Sequence, residues 1–188
     1  MTTIAATTAS DATTKTYSTL RTDEIVYGIW NTSAGQDSIP SIPGCESDPP
    51  QAALGGSIRT EYTSHGFCTA GCPYSDKCGL ATGFYLTFKS RPFVFKKFQI
   101  AMKKYSKARD PMRITIEGSS EHQFNLILGE SWTLIYNSIP DLKVVGKRRT
   151  FGDVESVVDN VLPFASYRFL VVSKRGKETS ASYSDGND

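Results

Sequence analysis

Histidine is scarce in this chain: only His65 and His122 are present among 188 residues. Any histidine-based mechanism must use one of them. His122 stands between Glu121 and Gln123 and reads as a solvated turn residue. His65 lies three positions before Cys68 in an irregular loop, where neither has an evident partner to orient a nucleophile. No Gly-x-Ser-x-Gly elbow and no phosphate-cradling glycine motif occurs. Glu117, Asp110 and Glu121 show no fixed pairing of the kind glycoside hydrolysis needs. These absences give the expectation that the chain is not an enzyme. No apolar run approaches the roughly 18 residues of a spanning helix, so no transmembrane segment is expected. The opening Met1–Ser10 has no basic region and no apolar core of leader length, which leaves a mature fragment or a chain that stays inside the cell. No RRM, KH or helix-turn-helix signature points to a specific nucleic acid.

What is present is alternation. Met112, Ile114 and Ile116 fall on one face and Arg113, Thr115 and Glu117 on the other, the period of a strand with one buried and one wet side. Strands of the same kind are predicted at 131–137, with Trp132, Leu134 and Tyr136 inward, at 167–173, at 24–30, and at 82–88, with Phe84, Leu86 and Phe88 inward. Across 91–102 the apolar set runs Phe93, Phe95 and then Phe98, Ile100, Met102. That change of phase at Lys96–Lys97 predicts one bent strand with a β-bulge. A short helical turn is expected near Val154–Val158. Six to eight strands with polar turns fit a sandwich or jelly roll. Residues 1–22, rich in Thr, Ala and Ser, read as a disordered tail, and residues 23–185 as one domain. The four-proline loop at 31–50 is long enough to suggest a functional or mobile segment.

Three segments, RDPMRITIEGSS (109–120), LGESWTLIYN (128–137) and SYRFLVVSKRG (166–176), resemble in that order the second half of a discoidin-like, galactose-binding-like β-sandwich. The resemblance extends over about 24–185. It implies an all-β antiparallel jelly-roll sandwich that recognises carbohydrate or another cell-surface ligand. Family members typically carry an acidic residue followed by Asn, part of a structural calcium site, where this chain has Gly55 and Gly56. Losing that carboxylate removes the hard oxygen calcium favours, and no cofactor or metal is expected.

Four cysteines allow three pairings that sequence does not choose between. Cys68, Cys72 and Cys78, with His65, could be disulfide-forming, free thiols or zinc ligands, though their spacing matches no tight zinc motif. The family resemblance implies a loop-closing Cys68–Cys78 disulfide, and with it an extracellular or cell-surface location. Cys45 and Cys72 are additional to that pattern.

The formal charge of +2 conceals an asymmetry: residues 1–80 hold four basic and eight acidic side chains, and residues 81–188 hold seventeen and eleven. The basic half offers a rival function, attraction of a sulfated glycan, an anionic lipid or another anionic polymer. Neutral-sugar binding needs instead an aromatic plate beside planar polar groups on loops at one end of the sandwich. The candidates are Trp30 and Asn31 at the exit of the first strand, Tyr62 and Tyr74 in the next loops, and Arg109, Asp110 and Arg175 at strand boundaries.

Overall fold

The computed structural model describes residues 4–8, 25–40, 49–54, 59, 62–64, 77–89, 91–101, 107–140 and 151–176. Among these the regular elements are nine strands and four short 3-10 turns. The strands are β1 (Ile4–Thr8), β2 (Ile25–Trp30), β3 (Ile39–Pro40), β4 (Thr82–Thr87), β5 (Phe95–Ile100), β6 (Pro111–Ser119), β7 (Thr133–Ser138), β8 (Glu155–Ser156) and β9 (Ser166–Lys174). All pairings are antiparallel. A six-stranded sheet runs β3-β2-β4-β9-β6-β7, and a three-stranded sheet runs β1-β5-β8.

The apolar alternation decides which faces meet. Phe84, Leu86, Ile114, Ile116, Tyr167 and Phe169 of the large sheet and Phe95, Phe98 and Ile100 of the small one form a single buried cluster. Phe95 bridges the layers, with its ring 5.3 Å from Tyr167 and 5.7 Å from Phe169. Phe98 meets Tyr136 edge-on at 5.1 Å. Such edge and tilted contacts add to the burial of large apolar rings.

The bend expected at Lys96–Lys97 is present. Thr7 pairs with Lys97 while Thr8 pairs with Phe95, so β5 carries one extra residue there and Phe95 and Phe98 both face inward. Ile4–Thr8 lies in the stretch read as tail, yet its main chain pairs along β5. Val154–Val158 forms no helical turn: Glu155–Ser156 is a two-residue strand on Lys97 and Phe98, fixed by main-chain bonds such as Val157 N to Lys96 O, 2.8 Å. Trp132 is buried, but over Arg168 on the outer face of the sheet rather than in the core, and Leu134 is exposed on that same face, because a register shift separates the pairings of Ile116 and Glu117 and breaks the alternation of β7.

Tyr167 places a phenol inside the sandwich. Its oxygen accepts from Phe95 N at 3.1 Å and donates to Phe93 O. Burial, outweighing hydrogen bonds with Phe95, Phe164 and Asn160, pushes the phenol above its ordinary value. The buried neutral form is therefore favoured by folding. Its contribution is complete below about pH 10, where the unfolded chain's tyrosine is also neutral, and is lost as pH rises through the elevated folded value. Denaturant melts at rising alkaline pH should show stability falling above about pH 10, with Tyr167→Phe flattening that fall.

Candidate functional site

Strand direction sorts the loops to two ends. One end gathers the exit of β2, the turn before β4, the start of β6 and the exit of β9. Trp30, Asn31, Arg109, Asp110 and Arg175 all belong to it. Asn31 has φ 51, a left-handed turn conformation that asparagine tolerates well, so its identity has a backbone reason. Tyr62 is different. It is buried in the core cluster and its hydroxyl donates to Gly83 O at 2.9 Å. Its phenol is therefore occupied inside the protein. Tyr74 lies outside the described residues, as do Cys45, Cys68, Cys72, His65 and the Gly55–Gly56 turn.

The start of β6 and the exit of β9 are tied together. Arg175 N donates to Asp110 O and Gly176 N to Ala108 O, both at 2.9 Å. An added Cβ on Gly176 would lie 2.5 Å from the Ala108 Cβ, so only glycine permits this approach. Asp110 is 1% exposed, and its carboxylate holds the Arg175 Nε at 3.6 Å while that side chain remains 30% exposed. Lys174 Nζ donates to Cys78 O at 2.6 Å, bringing the 77–80 turn to the same corner. Cys78 itself is buried.

Trp30 stands apart from this corner. The register puts it level with Val171, two strand spacings from β9 and four residues short of Arg175. That is about 10 Å across and about 13 Å along the sheet between their backbones, so the two are not neighbours in the sheet.

Glu117, expected on a wet face, is buried at 1%. Its carboxylate receives Arg168 Nε at 2.6 Å and Nη2 at 3.1 Å, and Gly35 N donates to it at 2.8 Å. Arg168 Nη1 donates to Gln36 O and Ser38 Oγ, both 2.8 Å. Trp132 lies over the guanidinium at 4.7 Å and anchors its indole N–H on Leu126 O at 2.9 Å. A second row of bonds, Gly129 N to Asp37 Oδ1 at 2.7 Å and Ser38 N to Ile127 O at 2.6 Å, closes the cover. The 33–38 turn is thus clamped across the outer face of the large sheet. Sequence reasoning missed this pair because alternation reports the side a residue faces, not whether a distant loop covers it. With its oxygens held by Arg168 and Gly35, Glu117 is a structural anion. Among the described residues no group of three or more His, Cys, Asp or Glu could hold a metal ion.

The chain is an antiparallel β-sandwich. In a search of solved structures it is similar to the family 32 carbohydrate-binding module of C. perfringens NanJ, solved in complex with galactose, at 12% identity and a TM-score of 0.47. The match covers 83% of this chain and 94% of that one. No protein-family model and no curated protein matches the chain.

Proposed function

We propose that the chain is a non-enzymatic recognition module that binds carbohydrate at the corner where β6 begins and β9 ends. The observation that carries this reading is Arg175 seated on the buried Asp110. A guanidinium anchored through one nitrogen keeps its remaining N–H donors in a fixed fork, suited to a pair of sugar hydroxyls or a carboxylate. Pre-ordering also reduces the entropy lost on binding. The engagement of Glu117 by Arg168 and Gly35, and the exposed position of His122, leave the best-placed acid and base in structural or solvated roles. An extracellular or cell-surface setting belongs to the same reading, and non-reducing peptide mapping should then recover Cys68 joined to Cys78.

A glycan array followed by calorimetry tests the reading. Arg175→Ala should weaken the best sugar about tenfold, the loss of one charged donor set worth about 1.4 kcal/mol. No sugar bound at all, or full affinity in the Arg175→Ala variant, would overturn it.

One observation favours a second reading, in which the ligand is an anion. Lys77, Arg109, Lys174 and Arg175 belong to the segments that meet at this corner, and Asp110 is the one acidic residue among the described residues of those segments. Binding to an anionic partner should collapse between low and physiological salt, whereas a neutral sugar should keep its affinity.

A further inference from the structure

On the outer face of the large sheet, the register aligns Tyr27 with Tyr85, Tyr85 with Arg168, and Arg168 with Glu117. The row crosses four strands. Tyr27 and Tyr85 stack at 5.0 Å with 25° between their planes, and Tyr85 meets Trp132 at 6.1 Å. Arg168 closes the far end beneath Trp132, its charge matched by Glu117. The near end is open: Tyr27 is 48% exposed. A structural account explains the stacking, since cross-strand aromatic pairs stabilise sheets, but it does not explain why the outermost ring is left half in water.

We propose that Tyr27 and Tyr85 form a second ligand site, a ledge on the sheet face that takes a neutral oligosaccharide. Three features on this face select that chemistry. The aromatic row ends in a ring that a sugar's C–H face can cover. Next to Tyr85 along β4, the half-buried Thr87 hydroxyl, hydrogen-bonded at 2.9 Å to the buried Ser166 Oγ, borders the ring. The ion pair within the row is internally compensated and buried, so the residues of the row carry no net charge. Burial first, and Tyr27 second, push the Tyr85 phenol above its ordinary value, so that hydroxyl stays a neutral donor and acceptor. The backing by Trp132 and Arg168 fixes the rings before any ligand arrives, which lowers the ordering cost of binding.

The ledge is distinct from the loop corner. Tyr85 lies three residues into β4 from Thr82, about 10 Å from that end of the sheet, and Tyr27 faces the side of the sheet opposite to Val26, which packs on the core.

The test titrates the full chain with linear neutral oligosaccharides of several sugar types, following tyrosine ring resonances by NMR alongside calorimetry. The rings of Tyr27 and Tyr85 should shift on binding. Tyr27→Ala should weaken that oligosaccharide roughly fivefold to tenfold, the loss of one aromatic contact. Tyr27→Phe, which keeps the ring, should bind nearly as wild type. Because Tyr27 is half-exposed, the Ala variant should retain the far-UV circular dichroism of the parent. Ring resonances that do not respond to any neutral oligosaccharide, unchanged affinity in Tyr27→Ala, or a response to charged saccharides alone would overturn the ledge, and none of these results bears on Arg175.

Discussion

Arg168→Ala is expected to lower folding stability by about 3–5 kcal/mol, the range for removing one partner of a buried ion pair. What the guanidinium leaves behind sets this cost. Glu117 would keep a single Gly35 N–H on a carboxylate that has no access to water, and Gln36 O and Ser38 Oγ would lose their donor. Trp132 would face a void where the guanidinium had been. Glu117→Gln retains an oxygen acceptor and similar volume, so its cost should be smaller, about 1–3 kcal/mol. Urea melts of both variants decide the matter. An Arg168→Ala melt within 1 kcal/mol of wild type, about the value of an exposed pair, would show that the clamp contributes little.

Gly83→Ala should be nearly as damaging, although the same change in an ordinary strand would help slightly. A Cβ at this position would stand 1.7 Å from Phe169 O and 2.8 Å from Phe169 C. Those are backbone atoms of the paired strand, so no rotamer change relieves the clash. Neither side can retreat cheaply. Gly83 O is held by the Tyr62 hydroxyl, and Phe169 is fixed between Phe84 and Phe95. The expected cost is about 3 kcal/mol, the upper part of the overpacking range, or a fall in Tm of roughly 6–12 °C for a domain of this size. Gly35→Ala is the contrast. Its φ is +75 but no atom lies within 4 Å of the added Cβ, so only the mild left-handed penalty of about 1 kcal/mol applies.

These effects also mark what could be read in the sequence. The inward rings of β4, the bulge at Lys96 and the long strand 111–119 follow from the periodicity of their own residues, because a local pattern controls a local conformation. That Arg109, Asp110 and Arg175 stand at strand boundaries was also legible, but which of those boundaries meet was not, because that depends on strand order. The burial of Glu117 was not, because its cover comes from Gly35, Gln36 and Ser38, some eighty residues earlier in the chain. Nor was the removal of Tyr62 from the surface, because its partner is a main-chain oxygen whose position depends on the assembled sheet. The separation of Trp30 from Arg175 is a matter of strand order, which alternation leaves open.

Strand order has a further consequence for how the molecule is made. The strand lying between β4 and β6 in the large sheet is β9, which comes last among the nine. While the chain emerges from the ribosome, β3-β2-β4 and β6-β7 exist as two separate halves with open inner edges. They cannot join until residues 166–174 arrive between them. Main-chain edges exposed in that interval are templates for pairing with other nascent chains. The half-made sheet should therefore need shelter during synthesis, and a ribosome stalled before β9 should hold a chain that proteases cut readily.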